Sequence, residues 1–144
     1  MFSKIFQLDR DYTLKSVPGD GNCFFHVVSN MVHKTITNLR QLVYDELTSN
    51  AMYEPFTCEQ LTNVLIPRYW DGTLGDLIPP ALARALNRTI FILFDCATDS
   101  KWYYLHPAAG RTGNPIYLYL KCDHYHVFVP TPRFLEWEDS FYEH

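Results

Sequence analysis

Cys23 stands where the sequence changes from a tight turn to an apolar stretch with helical spacing. Gly19, Asp20, Gly21 and Asn22 precede it, and glycine permits the positive φ angles that bulkier residues resist. A thiol in the first turn of a helix feels the positive end of the helix dipole, which favours the thiolate. Free N–H groups of the same turn can stabilise an oxyanion. The pattern predicts a cysteine nucleophile for acyl transfer rather than a buried structural cysteine.

A thiolate nucleophile also needs a base, which can be distant in the sequence. His124 and His126 open the last predicted strand, and alternation places them on one face of it, opposite Tyr125. His26 lies three residues after Cys23 on the same predicted helix, where packing or a surface contact is the usual role. A histidine at the start of a strand, beside a loop, suits a general base, so we expect His124 to be the base.

The alternation of Cys122, His124 and His126 allows a second interpretation, which is a metal site. A fourth ligand is not evident in the sequence, and a bound metal would withdraw His124 from catalysis. We therefore expect no metal at these residues.

The composition is that of a folded, weakly acidic chain. Of its 144 residues, 47% are hydrophobic and 16% aromatic, which is enough for a core without disulfides. The net charge of −4 and the lack of a basic stripe disfavour nucleic acid as a partner. No run reaches the roughly 18 apolar residues typical of a membrane span, and the N-terminus does not resemble a signal peptide. Four cysteines without a C-x-x-C pair suit a reducing compartment, so we expect a cytoplasmic protein. The length of the chain fits one domain over residues 1–144, and we expect it to be a monomer.

Changes of period along the chain predict helices first and strands later, after a short extended segment at 12–18. Thr37 or Asn38 can cap the second helix and Thr57 the third. Residues 130–144 are expected to form a loose tail or a short packed segment. The predicted helices are 23–33, 35–50, 57–66 and 76–87, the predicted strands are 89–95, 101–105, 115–121 and 124–129, and turns are predicted at 71–75, 98–100 and 122–123. This layout predicts the α+β class, with helices flanking a small, mainly antiparallel sheet.

Residues 20–26, Asp-Gly-Asn-Cys-Phe-Phe-His, resemble the nucleophile signature of the OTU (ovarian tumour) cysteine proteases. Residues 123–125, Asp-His-Tyr, resemble the closing strand of that family, which carries its histidine. Segments between them are similar to the family's Trp-Gly turn, apolar helix and buried strand, namely 70–72, 75–76, 81–83 and 90–92. The likeness follows the family's order along most of the chain, and the first motif is the most specific.

The resemblance implies a papain-like core that removes ubiquitin, or a ubiquitin-like modifier, from lysine side chains by hydrolysing the isopeptide bond. Cys23 would attack the carbonyl of the modifier's C-terminal glycine. His124 would take the thiol proton and later protonate the leaving amine. The turn of Asp20, Gly21 and Asn22, with the amide of Cys23, would form the oxyanion hole. Neither a metal nor an organic cofactor is implied.

Aromatic residues near these motifs are candidate contacts with the modifier. Phe25, Trp70 and Tyr125 are the three that we assign to substrate binding. Core packing is the competing role for such side chains, so the assignment depends on their exposure.

One position departs from the family's pattern. Two residues after the histidine, where the family often has Asp or Asn to hold the imidazole, this sequence has His126. Three interpretations stay open: His126 orients His124, Asp20 reaches it from the turn before the cysteine, or no strong third residue exists and the enzyme is slow. We favour Asp20, since an imidazole supplies no negative charge.

Two other functions fit the same residues. A catalytically weak ubiquitin-binding module would keep the fold without its chemistry. A transglutaminase-like or amidase-like enzyme would use the same cysteine and histidine on other amides. The intact Cys23, His124 and glycine-containing turn favour the hydrolase over the binding module.

Overall fold

The computed structural model describes residues 4–49, 56–70, 72–96, 100–110 and 114–142, and within these ranges the chain has the predicted α+β fold. The strands are β1 Tyr12–Lys15, β2 Ile90–Asp95, β3 Ser100–Leu105, β4 Ile116–Lys121 and β5 His124–Pro130. The α-helices are α1 Cys23–Val32, α2 Ile36–Ser49, α3 Cys58–Thr62, α4 Gly72–Gly75, α5 Ile78–Leu86 and α6 Pro132–Tyr142, with a 3₁₀ helix at Asn63–Leu65. Among the helices of these described ranges, none is both long and apolar enough to cross a bilayer.

The strands form a mixed sheet in the order β1-β5-β4-β2-β3. Every neighbouring pair is antiparallel except β2 and β4, which run parallel, so the prediction of a mainly antiparallel sheet is confirmed. The turn between β4 and β5 is also confirmed, because Cys122 and Asp123 both have the positive φ that a tight two-residue hairpin requires. This turn makes His124 the first residue of β5, paired with Lys121. The predicted turn at 98–100 lies largely outside the described residues.

Both faces of the sheet are covered by apolar side chains. On one face, strand residues such as Ile92 and Val127 pack against α1, α2 and α5. On the other face, Phe91 and Phe128 pack against Phe134 of α6. Because side chains alternate along β5, neighbouring residues of this strand contribute to different cores. The face occupied by Tyr125 is the one that carries α1 and the cysteine at its start.

The C-terminal segment is a packed helix, so the loose tail is wrong and the packed alternative is right. Phe134 is fully buried and Glu138 is 2% exposed. The carboxylate of Glu138 accepts hydrogen bonds from the hydroxyls of Tyr104 and Tyr117, at 2.7 and 2.5 Å. These bonds satisfy the two buried carboxyl oxygens and tie α6 to strands β3 and β4.

Helix starts agree with the sequence in two cases and differ in one. α1 begins at Cys23, and Thr57 caps α3, both as predicted. The predicted caps Thr37 and Asn38 of α2 are wrong, because the helix begins earlier. The hydroxyl of Thr35 accepts the Asn38 N–H at 3.1 Å and takes the capping role.

The segment before α5 is more helical than predicted. The sequence predicts a turn at 71–75, but its described part, Gly72–Gly75, is a single turn of helix, α4. α5 follows at Ile78, with its two prolines in the first turn, where proline is tolerated.

Candidate active site

The nucleophile turn (residues 19–22) is shaped by one close approach and one internal hydrogen bond. Gly21 has a φ of +85°, and a Cβ atom at this position would lie 2.0 Å from the carbonyl oxygen of Arg68. The Asp20 carboxylate accepts a hydrogen bond from the Asn22 N–H at 3.0 Å. Glycine at position 21 therefore lets the turn lie against Arg68 and deliver Cys23 to the first position of α1.

The side chain of Asn22 faces away from the helix that follows it. Its Oδ1 accepts hydrogen bonds from Arg40 Nη2 at 2.6 Å and from the Arg68 N–H at 3.0 Å. Asn22 therefore makes no side-chain cap on α1. N–H groups of a helix start that lack such a cap are suited to binding an external anion.

Cys23 and the start of β5 meet at the N-terminus of α1. The Tyr125 N–H donates to Cys23 Sγ at 3.5 Å, and Cys23 is 7% exposed. His124 packs against Gly19, where a Cβ atom would lie 3.2 Å from Cε1 and 3.3 Å from Nδ1 of the imidazole. The structure thus brings Cys23, His124 and the nucleophile turn together at one end of the sheet.

His126 lies beside His124 on the same face of β5. The centroids of the two rings are 4.5 Å apart and their planes are inclined by 75°. Burial, and next the charge of His124, lower the pKa of His126 below its usual value. His126 is therefore neutral at neutral pH, and one of its ring nitrogens can accept a hydrogen bond.

Asp20 has partners other than His124. Besides the bond from the Asn22 N–H, its Oδ1 lies 3.6 Å from His26 Nε2. The Asn22 hydrogen bond, followed by the charge of His26, lowers the pKa of Asp20, so it is a carboxylate at neutral pH. Among the contacts of the described residues, none joins Asp20 to His124. The interpretation that Asp20 orients His124 has no contact to support it in this conformation.

The predicted oxyanion donors are not equivalent. The N–H of Asn22 already donates to the Asp20 carboxylate. The expectation that Asn22 contributes a free N–H is therefore wrong for this conformation, because the turn that shapes the site uses that donor internally. The N–H of Asp20 likewise hydrogen-bonds to its own carboxylate, which leaves the N–H groups of Gly21 and Cys23 as the candidate donors.

The three predicted substrate contacts lie at different depths. Phe25 is fully buried, so its assignment as a substrate contact is wrong, and its ring packs against Trp70. Tyr125 is 6% exposed and packs between Phe24 and Trp70, with ring centroids 5.2 and 5.9 Å away. Trp70 is half-buried and keeps an exposed part.

One side of Tyr125 lines a cleft of about 140 Å³. Pro79, Leu105, Leu120 and other apolar groups form its walls, and Asp76 stands at its edge. Burial raises the pKa of Tyr125, so its hydroxyl keeps its proton at neutral pH. Tyr125 thus stays a candidate for substrate contact through this cleft, while most of its ring belongs to the core.

The alternative interpretation of the last strand was a metal site at Cys122, His124 and His126. The described part of the chain contains no group of three or more His, Cys, Asp or Glu residues that could hold a metal ion. The reason lies in the hairpin turn. Cys122 has a φ of +52° and belongs to the turn, so it does not continue the alternation of His124 and His126.

Arg40 is the residue of this region that the sequence analysis missed. It is 2% exposed, and its guanidinium lies 4.4 Å from the ring centroid of Phe25. A signal was present in the sequence, because Arg40 has helical spacing with Val43 and Leu47, which are buried on the same face of α2. A charged residue on an apolar stripe indicates a buried polar contact, and here that contact is the nucleophile turn.

Comparisons with known proteins place the fold. No family model matches the sequence, and no curated protein matches it. The viral OTU domain protease from Dera Ghazi Khan virus is similar in structure, with a TM-score of 0.70 and 22% sequence identity over 88% of this chain and 85% of that chain.

Two further similar structures were solved with ubiquitin bound. They are the Hazara virus OTU, with a TM-score of 0.64 and 18% identity over 88% of this chain and 86% of that chain, and an OTU deubiquitinase from Wolbachia pipientis, with a TM-score of 0.61 and 11% identity over 84% of this chain and 97% of that chain. The chain therefore has the fold of an OTU domain, as its motifs indicate.

Replacing Gly21 by alanine tests the close approach to Arg68. We expect Gly21→Ala to lower the free energy of unfolding by at least about 3 kcal/mol, because it adds overpacking against a backbone oxygen to the cost of a positive φ. Gly110→Ala is the matched control. Gly110 has a φ of +92° with nothing within 4 Å of its Cβ position, so only the backbone cost of about 1 kcal/mol applies. Urea unfolding measures both, and equal losses would contradict the role of Arg68.

Proposed function

We propose that this chain is a cysteine deubiquitinase that hydrolyses the isopeptide bond between the C-terminus of ubiquitin, or of a ubiquitin-like modifier, and a lysine side chain. One observation carries the proposal: Cys23 Sγ at the start of α1 accepts the N–H of the residue that follows His124. Structural similarity to OTU domains bound to ubiquitin supports the choice of modifier.

The chemistry has two stages. His124 takes the proton of the Cys23 thiol, and the thiolate attacks the carbonyl carbon of the modifier's last glycine. N–H groups of Gly21 and Cys23 stabilise the negative oxygen of the tetrahedral intermediate. The C–N bond then breaks, the lysine amine leaves with the proton from His124, and a thioester remains on Cys23.

Hydrolysis of the thioester completes the cycle. His124 takes a proton from water, and the resulting hydroxide adds to the thioester carbonyl. The second tetrahedral intermediate uses the same oxyanion donors. Its collapse breaks the C–S bond and releases the modifier as a carboxylic acid, which loses its proton to water. The Cys23 thiolate that leaves recovers its proton from His124.

We assign the orientation of His124 to His126 rather than to Asp20. The 4.5 Å separation of the two rings and the lowered pKa of His126 support this choice, since a neutral imidazole can accept the N–H of its neighbour. Asp20 keeps a different task, because it holds the Asn22 N–H and lies beside His26.

A second candidate function is a ubiquitin-binding module with weak catalysis. The observation that favours it is the low exposure of Cys23, at 7%, together with the hydrogen bond that its sulfur already accepts. In this case the modifier would bind beside Trp70 and Tyr125, but the thiol would not reach the scissile carbonyl. Binding and cleavage of the same conjugate separate the two functions.

Cleavage of isopeptide-linked di-ubiquitin tests the proposed function. Wild type should release free ubiquitin, and Cys23→Ala should lose at least about 1,000-fold in rate because it removes the nucleophile. Cys96→Ala, at a half-buried cysteine after β2, is the control and should retain the wild-type rate. Gel densitometry measures product, and calorimetric titration with Cys23→Ala measures binding. Binding without cleavage by wild type would support the module, and cleavage of small amides alone would indicate another acyl-transfer enzyme.

The pH dependence of turnover tests the role of His126. Protonation of His126 removes the acceptor for His124, and its lowered pKa puts this loss of kcat below about pH 6.5, the ordinary value for histidine. His126→Asn keeps an acceptor that does not titrate and places no new charge beside His124, so we expect its acid limb to move to lower pH. His126→Ala should reduce kcat by about 10- to 100-fold, whereas His124→Ala should abolish turnover. Equal losses in the two alanine variants, or an unchanged acid limb in His126→Asn, would contradict a purely orienting role.

A further inference from the structure

Arg40 connects the nucleophile turn to a second segment of the chain. Its Nη2 donates to Oδ1 of Asn22 at 2.6 Å and to the carbonyl oxygen of Gly21 at 3.4 Å. The same nitrogen lies 3.2 Å from the carbonyl oxygen of Tyr69, and Nη1 donates to that of Val64 at 2.9 Å. One buried guanidinium thus holds the turn before Cys23 and the segment that leads to Trp70.

The charge of Arg40 is kept inside the protein by these contacts. Burial lowers the pKa of the guanidinium and the charge of Asp20 raises it, and an arginine remains a cation at neutral pH. The ring of Phe25, at 4.4 Å, contributes a cation–π contact. Removing one partner from a buried charge is costly, so the position of the guanidinium and that of the turn depend on each other.

The contact with Gly21 bears on the orientation of one peptide unit, the one between Gly21 and Asn22. A trans peptide is planar, with its carbonyl and its N–H on opposite sides. Because the Gly21 carbonyl faces Arg40, the N–H of Asn22 in the same peptide faces the other way, where it meets Asp20. With the Asn22 side chain also held by Arg40, little rotation is left at the residue before the nucleophile.

We propose that Arg40 is a positioning residue, which sets the orientation of the nucleophile turn and thereby the oxyanion donors beside Cys23. This inference rests on the proposed function and deepens it. Arg40 touches neither the substrate nor the reacting atoms. It acts through Asn22 and the carbonyl of Gly21, which are its contacts in the turn.

Arg40→Lys is the direct test, because lysine keeps the charge but cannot reproduce the planar fork of donors. We expect kcat for di-ubiquitin cleavage to fall by about 10- to 100-fold, since oxyanion donors act in the transition state and small displacements there are costly. KM should stay within about threefold of wild type, because binding of the modifier does not use these donors. Arg88→Lys is the matched control, since Arg88 likewise donates two hydrogen bonds to a backbone carbonyl, that of Asn114.

Alkylation of Cys23 by iodoacetamide separates positioning from a general loss of structure. This displacement at carbon forms no oxyanion, so its rate reports the thiolate but not the oxyanion donors. In Arg40→Lys we expect alkylation to stay within about threefold of wild type while cleavage falls at least tenfold. A parallel fall of both rates, or a cleavage rate equal to that of wild type, would overturn the inference.

Asn22→Ala provides an independent variant that leaves Arg40 in place and removes its main contact with the turn. Asn22→Ala should show the same divergence between cleavage and alkylation. It therefore tests the inference even if Arg40→Lys does not fold. The double variant should lose no more than the larger single loss, because both act through one contact. Fully additive losses would overturn the inference. Wild type that alkylates at Cys23 but does not cleave di-ubiquitin would overturn the proposed function itself, whereas cleavage unaffected in these variants would overturn only the role of Arg40.

Discussion

The hydrogen bond from the Tyr125 N–H to Cys23 Sγ joins the first residue of a helix to the second residue of a strand. These two residues are about a hundred positions apart in the sequence, and their contact depends on the turn that precedes each of them. The positive φ angles of Cys122 and Asp123 close the hairpin and set where β5 begins. The positive φ of Gly21 lets the nucleophile turn lie against Arg68, and Cys23 follows directly after this turn. The candidate site exists where these two turns face each other.

Much of this fold is predictable because its signals are local. A glycine-containing turn before an apolar helix, a threonine cap and β-branched strands with turn residues between them each specify their own element. The parts that were wrong depend on distant contacts. The caps of α2 shifted by a few residues, because Thr35 competes with Thr37 and Asn38 for the same role. Helix α6 is stabilised by the packing of Phe134 and by the hydrogen bonds that Tyr104 and Tyr117 donate to Glu138. The local sequence does not reveal these distant contacts.

The same difference between local signals and distant contacts applies to the candidate site. Cys23 and His124 are recognisable from motifs because their backbone settings are local, and the structure brings them together. Which carboxylate or imidazole orients His124 depends on tertiary contacts. The sequence favoured Asp20, but Asp20 is engaged with Asn22 and His26, and His126 is the group that lies beside His124. The prediction that Phe25 contacts the substrate is wrong for a related reason. An aromatic ring suits a surface contact, but this ring is buried and packs against the guanidinium of Arg40.

The central claim is that Cys23 is a nucleophile for the C-terminus of a ubiquitin-type modifier. Reaction with ubiquitin that carries a C-terminal electrophile, followed by peptide mapping in a mass spectrometer, tests it most directly. The account predicts one covalent adduct, on Cys23, and no adduct in Cys23→Ala. An adduct on Cys58 or Cys96 in the wild type, or labelling that persists in Cys23→Ala, would contradict it.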